Sequence, residues 1–88
     1  MRSHLLTERE VAALFALHHA TRGSTSAHLP EHAILVRFRS DYRGYVADAL
    51  EELARHTEKY VVKHPTRTEM TYQITEAGIR KLQELRLL

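Results

Sequence analysis

Three arginines lie close together in the middle of the 88-residue sequence, at Arg37, Arg39 and Arg43. A guanidinium group is permanently charged and carries a planar set of donors, so it pairs with phosphate oxygens or binds the edge of guanine through two parallel hydrogen bonds. The neighbouring residues that add hydroxyl groups and aromatic rings are Ser40, Tyr42 and Tyr45. This composition favours contact with a nucleic acid. The alternative is a solvated surface with local ion pairs, for example between Arg39 and Asp41, and tyrosines that pack beside a small core.

A second group of candidate contacts follows further along the chain, and its members are Lys63, His64, Arg67 and Thr68. Pro65 lies within this group and indicates a turn. Basic side chains at such a turn contact phosphates, in which case replacing Arg67 lowers the affinity for every nucleic-acid sequence alike. Charged side chains also protect an exposed strand edge from pairing with other chains, and the two roles are compatible.

The distribution of charge supports these two groups. The chain carries 13 Lys and Arg against 11 Asp and Glu, a formal net charge of +2. Residues 1–36 and residues 68–88 each contain equal numbers of acidic and basic side chains, so the whole excess lies in residues 37–67. A local excess of this kind steers polyanions toward one part of a surface.

Other chemistry is poorly represented. Cysteine is absent, which excludes disulfides, thiolate metal sites and thiol nucleophiles. Among seven histidines, His28 and His32 have the spacing of two zinc ligands on one helix face, but Pro30 between them disfavours a continuous helix. We therefore predict no metal site and no cofactor. No nucleophile is accompanied by a suitable base and no glycine-rich phosphate loop occurs, so we predict that the protein is not an enzyme.

The first half of the chain predicts helices. Thr7 and Glu10 have the spacing of a capping box, in which each side chain bonds the other residue's backbone amide, so a helix is expected over residues 8–20. Pro30 opens a short apolar stretch that fits either a helix or a strand, and we favour a helix. A third helix is expected over residues 41–57. Its apolar face consists of Val46, Leu50 and Leu53.

The second half predicts a hairpin and a last helix. Residues 60–64 and residues 70–74 alternate between polar and apolar side chains as strands do, and residues 65–67 form the turn between them. Thr75 is a suitable cap for a closing helix. The apolar stripe of that helix consists of Ile79, Leu82 and Leu85.

This order of three helices, a hairpin with a basic tip and a closing helix resembles the winged helix-turn-helix superfamily of DNA-binding proteins. The most specific segments are residues 46–53, 60–62 and 72–78, which are similar to that family's recognition helix, first wing strand and second wing strand entering the last helix. In plan the chain is similar to small regulators of the MarR or PadR type. The resemblance implies an α+β fold in which the third helix enters the major groove and the wing lies over phosphates or the minor groove.

Two features differ from that family pattern. The connection over residues 39–44 is longer and more polar than the tight turn usual between the second and third helices. The outward face of the third helix is acidic, because the residues roughly opposite its apolar face are Asp41, Asp48, Glu51, Glu52 and Arg55. Carboxylates repel phosphate, so we expect any base contact to come from the amino end of this helix.

We therefore predict a single α+β domain over residues 1–88, a winged helix-turn-helix that binds duplex DNA, sequence-specifically or generally, and regulates transcription. A homodimer is expected because the carboxyl end has more apolar side chains than a small core needs. The predicted dimer contacts are Leu82, Leu85 and Leu88. The longest apolar run, residues 11–17, is too short to span a membrane, so we expect a cytoplasmic protein without a membrane partner. The alternative, favoured by the acidic face of the third helix, is a winged-helix module for protein–protein interaction or assembly.

Overall fold

The computed structural model describes residues 5–88, which form helices and short strands. In chain order they are α1 (Glu8–Thr21), β1 (Leu29–Pro30), α2 (Glu31–Leu35), α3 (Arg43–Arg55), β2 (Val61–Pro65), β3 (Met70–Ile74) and α4 (Glu76–Glu84). A 3-10 turn, Ser40–Tyr42, leads directly into α3. None of the helices in this range has the length and apolar character that crossing a bilayer requires.

Helix α1 begins at the predicted cap. The Thr7 hydroxyl accepts a hydrogen bond from the Glu10 amide (3.1 Å), and the Glu10 carboxylate accepts one from the Thr7 amide (2.9 Å). After the helix, Arg22 adopts a left-handed conformation with a φ of 55°, and the Gly23 amide donates to the His18 carbonyl. The prediction of a helix over residues 8–20 is confirmed.

The middle of the chain differs from the predicted second and third helices. The stretch around Pro30 contains both alternatives, because Leu29–Pro30 pairs with β3 as a strand and only Glu31–Leu35 is helical. Proline lacks an amide proton, and β1 accommodates it as an edge strand. A strand of two residues carries no periodic pattern, so the sequence does not predict it. Helix α3 is shorter than the expected residues 41–57, since residues 40–42 form the 3-10 turn and the helix ends at Arg55.

The hairpin and the start of α4 agree with the prediction, except that Pro65, expected in the turn, is the last paired residue of β2. Strands β2 and β3 pair antiparallel along their full length, and β1 pairs with the other edge of β3, so the strand order is β1-β3-β2. The Thr75 hydroxyl caps α4 by accepting a hydrogen bond from the Gly78 amide (3.1 Å). Over residues 5–88 the fold is α+β, with four α-helices and a three-stranded antiparallel sheet, and is compatible with a small winged-helix-like fold.

One hydrophobic core connects the helices to the sheet. The predicted inward face of α3 is confirmed, because all three of its members are fully buried: Val46, Leu50 and Leu53. Their fully buried partners from the other elements include Leu14, Leu17, Ile34, Tyr72, Ile74 and Leu82. Burying an aliphatic side chain stabilises a fold by about 1.5–3 kcal/mol. This core fixes α3 against α1 and the sheet, and so fixes the loops that flank α3.

Candidate nucleic-acid interface

Arg43 ties the end of α2 to the start of α3. Its Nε donates to the carbonyl oxygens of Leu35 (3.0 Å) and Phe38 (2.9 Å), and the side chain is half-buried. The last carbonyls of a helix lack intrahelical partners and attract a cation. Arg43 thus closes residues 36–42, here called the connecting segment, into a fixed loop. The arginine that the sequence predicts as a DNA contact therefore has a structural role.

The other two arginines of this region lie on the connecting segment and differ from each other. Arg39 donates to the Asp41 carboxylate at 3.0 Å, which is the local ion pair that the sequence offered as an alternative. Both partners are exposed, so the pair contributes only about 0–1 kcal/mol. The exposed Arg37 side chain has no hydrogen bond or ion pair with any residue of the described range 5–88. Arg37 is thus available to an anionic partner.

Aromatic rings form a row beside these arginines. The ring centroids of Phe38 and Tyr42 are 5.8 Å apart, and those of Tyr42 and Tyr45 are 5.9 Å apart. The guanidinium of Arg9, from α1, lies 3.8 Å from the centre of the Tyr45 ring, and 47% of Tyr45 is exposed. Such a contact between a cation and a ring is worth about 0.5–1 kcal/mol at an exposed site. Sequence reasoning missed Arg9, because only the packing of α1 on α3 brings it there.

These side chains surround an open cleft of about 530 Å³ at the amino end of α3. We call it the arginine–aromatic cleft, and its lining consists of Arg9, Arg37, Phe38, Arg39, Asp41, Tyr42 and Tyr45. Three guanidinium groups and one carboxylate leave an excess of positive charge. Ser40 is exposed on the 3-10 turn next to the cleft but does not line it. The predicted contacts near the start of α3 therefore share one concave surface, with the exception of Ser40 and Arg43.

The acidic face of α3 is largely neutralised by neighbouring cations. Glu51 accepts a hydrogen bond from Lys63 of β2 at 2.8 Å, and Glu52 accepts one from Arg55 at 2.9 Å. Both pairs reduce the repulsion that the sequence predicts between this face and phosphate. The contact with Glu51 also pairs Lys63, a predicted DNA contact, with a carboxylate of the protein itself.

The tip of the hairpin is a turn built on one hydroxyl. The Thr66 Oγ1 donates to the Glu69 carbonyl (2.8 Å) and accepts from the Glu69 amide (3.1 Å), while the Thr66 amide donates to the same carbonyl (2.7 Å). Arg67 and Thr68 occupy the middle of this turn and are exposed. The Arg67 side chain forms no hydrogen bond or ion pair within the described part of the chain. The turn therefore exposes a cation that is unpaired among residues 5–88, on a backbone held by hydrogen bonds.

His64 belongs to a different surface, the outer face of the sheet. Its Nε2 lies 2.7 Å from the Gln73 Oε1, and its ring stacks on that of His28 at 4.2 Å with an interplanar angle of 13°. Gln73 in turn donates to the Thr25 carbonyl, which ties the loop after α1 to the sheet. His32, the other residue of the unfavoured zinc pair, lies 3.4 Å from Glu69. Among residues 5–88, no group of three or more His, Cys, Asp or Glu side chains is arranged to hold a metal ion.

The carboxyl end presents apolar surface, but not at all of the predicted dimer contacts. Leu82 is fully buried in the core and has no surface to offer a partner in this conformation. Leu85 and Leu88 are exposed. The neighbouring Leu87 lines an apolar groove of about 580 Å³ together with Phe15 of α1. A dimer formed at the predicted carboxyl end would therefore use the last residues of the chain, with the exposed side of α1 beside them.

The geometry of these surfaces is what bears on function. Comparison with protein-family models, with curated protein sequences and with solved structures finds no match. The connecting segment precedes α3, and the hairpin is joined to α3 through the contact between Glu51 and Lys63. Exposed cations that other residues of the described range leave unpaired thus lie in the connecting segment before α3 and at the tip of the hairpin after it, at Arg37 and Arg67.

Proposed function

We propose that this protein is a winged helix-turn-helix transcriptional regulator that binds duplex DNA. The observation that carries the proposal is the presence, in the described range, of an exposed, unpaired arginine on each of two loops: Arg37 on the connecting segment before α3 and Arg67 at the tip of the hairpin that follows α3. An unpaired arginine releases counterions from DNA without first breaking an ion pair in the protein. The order of helices and strands supports the same proposal through the resemblance stated above.

In this function the two loops have different roles. Arg67 and Thr68 contact phosphates, and their turn gives the hairpin a fixed shape for that contact. Arg37, Arg39 and the tyrosines at the amino end of α3 approach the major groove. Lys63 contributes little, because contact with a phosphate requires it to leave Glu51. A homodimer, with Leu85 and Leu88 in the interface, would present two such surfaces to two half-sites.

A second candidate function is a protein-interaction or assembly module. The observation that favours it is the apolar groove lined by α1 and Leu87, together with the exposure of Leu85 and Leu88. Apolar surface of this kind marks contacts with other proteins. Such a module would have no need of the unpaired arginines near α3.

The test is fluorescence anisotropy of a labelled mixed-sequence duplex at two salt concentrations. We expect binding that weakens with salt, and we expect Arg37→Ala and Arg67→Ala each to lower the affinity and to reduce the salt slope by about 1. Lys63→Ala should have a smaller effect because Glu51 already compensates its charge. The control is Arg80→Ala, which removes the same charge from α4, where this arginine lies 3.8 Å from the Glu76 carboxylate.

Two results would contradict the proposal. The first is the absence of binding at low salt, which would favour the protein-interaction module. The second is an equal loss of affinity in Arg37→Ala, Arg67→Ala and Arg80→Ala, which would mean that only the net charge matters and that no surface around α3 is used.

A further inference from the structure

The arginine–aromatic cleft combines two kinds of group that a smooth phosphate-binding surface does not need together. Its three guanidinium groups supply positive charge, and Phe38, Tyr42 and Tyr45 supply ring surface. A ligand that uses both must carry a negative charge next to a flat aromatic ring. The volume of about 530 Å³ lies within the range of about 300–1,000 Å³ that is usual for small-molecule sites.

The walls of the cleft are held in place by the fold. Arg9 belongs to α1, Tyr45 belongs to α3, and the connecting segment between α2 and α3 is closed by the hydrogen bonds of Arg43. Val46, next to Tyr45, is fully buried and fixes that turn of the helix against the core. A ligand therefore meets rings and charges that are already ordered, which lowers the entropy that binding costs.

Tyr45 is the residue best placed to stack on a flat ligand. One face of its ring is covered by the guanidinium of Arg9 at 3.8 Å, yet nearly half of the side chain remains exposed. A flat ring can stack on an exposed tyrosine or on the outer plane of a guanidinium, and both surfaces occur here. Arg37 is unpaired within residues 5–88 and can hold a phosphate beside that ring.

We infer that the arginine–aromatic cleft binds a nucleotide unit whose base is unpaired, within a single-stranded segment of DNA. The bases of a fully paired duplex are stacked on each other and cannot offer a face to Tyr45, whereas an unpaired base can. This inference rests on the proposed function, since it takes the cleft as part of the DNA-binding surface. It adds that the surface prefers DNA in which a base has left the stack.

The experiment compares three labelled probes by anisotropy: a paired duplex, the same duplex with a central mismatched bubble, and a single strand of thymidines. We expect the bubble and the single strand to bind more tightly than the paired duplex. Tyr45→Leu should lower the affinity for these two probes about ten-fold, in keeping with the loss of one stacked base, and should lower the affinity for the paired duplex by a clearly smaller factor. Tyr45→Phe keeps the ring and should behave as the wild type.

The hairpin provides the matched comparison. Arg67→Ala should weaken all three probes by a similar factor, because a phosphate contact at the hairpin tip does not distinguish paired from unpaired bases. Circular dichroism and the urea midpoint of each variant show whether it is folded. Thymidine monophosphate serves as a competitor, and if it displaces the single strand at an equal concentration of nucleotide, the ligand is a free nucleotide and the strand assignment is overturned.

The outcomes separate this inference from the proposed function. Equal affinity for paired and bubble duplexes, or an equal loss of both in Tyr45→Leu, overturns the inference while duplex binding stands. Binding of the single strand without binding of the paired duplex overturns the proposed function and leaves the cleft as a site for unpaired nucleotides. Absence of binding to all three probes overturns both.

Discussion

The connecting segment before α3 and the tip of the hairpin after it both carry arginines, yet the two loops are held in different ways. Arg43, a cation, closes the connecting segment by donating to two backbone carbonyls, and Arg39 within the segment is paired with Asp41. A neutral hydroxyl, that of Thr66, closes the hairpin tip, so Arg67 remains unpaired within the described residues. The number of basic residues in a loop therefore does not give the number of charges that the loop can offer to DNA.

The two loops also differ in how they are anchored to the elements beside them. The hairpin ends at Thr75, whose hydroxyl lies 2.6 Å from the Lys59 carbonyl and 3.0 Å from the Tyr60 carbonyl. Behind it, Gly78 packs so closely that an added Cβ would lie 2.5 Å from the Tyr60 carbonyl oxygen. At the start of α3 an added Cβ on Gly44 would meet no atom within 4 Å. The base of the hairpin is thus held by close packing in addition to hydrogen bonds, whereas hydrogen bonds hold the connecting segment.

The largest effect that we expect tests this difference in packing. Gly78→Ala places a methyl group against the Tyr60 carbonyl oxygen, so the backbone of α4 or of residue 60 must shift. This substitution should lower the free energy of unfolding by about 3 kcal/mol. Gly44→Ala, the matched control, meets open space inside a helix and should raise it by about 0.5–1 kcal/mol. Urea unfolding followed by circular dichroism measures both. Equal effects of the two substitutions would show that the hairpin base is not closely packed.

The next effect tests the hydrogen bonds of the connecting segment. Arg43→Ala removes the charged Nε–H donor that the carbonyls of Leu35 and Phe38 share, so it should cost about 2 kcal/mol of stability. Arg37→Ala removes an equal charge from an exposed position and should stay within about 0.5 kcal/mol. The comparison of their urea midpoints decides the matter, and a midpoint for Arg43→Ala equal to that of Arg37→Ala would refute the structural role of Arg43.

The smallest effect concerns Tyr72, which lies at the centre of the sheet between the two loops. Its side chain is fully buried, and its hydroxyl has no hydrogen-bond partner among residues 5–88. Tyr72→Phe removes an unsatisfied polar group and should leave stability unchanged or raise it by up to about 1 kcal/mol. A loss well beyond that range would show that the hydroxyl has a partner.

The same tyrosine predicts a dependence on pH. Burial, with a smaller contribution from the charges of Glu31 and Glu51, raises the pKa of Tyr72 from 10.0 to about 12. As the pH rises, the unfolded chain loses this proton before the folded chain does. The free energy of unfolding is therefore unaffected by ionisation of Tyr72 below pH 10.0 and decreases as the pH rises toward about 12. Urea unfolding across this interval should show a smaller decrease in the free energy of unfolding for Tyr72→Phe than for the wild type.

Much of the fold could be predicted because it depends on neighbours in sequence. The capping box of Thr7 and Glu10, the Thr75 cap and the alternating strands of the hairpin all follow from local patterns, and the structure contains each of them. The short strand β1 and the 3-10 turn before α3 could not be predicted in this way. Both are too short to show a period, and β1 exists only because β3 pairs with it.

The candidate site was only partly predictable. Spacing in the sequence placed arginines and tyrosines near the start of α3 and a basic turn in the hairpin, and the structure has both. The spacing in the sequence did not indicate that Leu82 is buried, that Arg9 joins the cleft, or that Lys63 is paired with Glu51. Each of these depends on which helix packs against which, and a periodic pattern does not contain that information.

The sequence by itself determined where most helices and the hairpin begin, and which loops are rich in cations, because caps, turns and periodicity act over a few residues. Only the tertiary structure decided which of those cations remain available. Arg43 is engaged by carbonyls at the end of α2 and Lys63 by a carboxylate of α3, while Arg37 and Arg67 are exposed. The physical reason is that the free charge of a side chain depends on partners that packing brings close, often from distant parts of the chain.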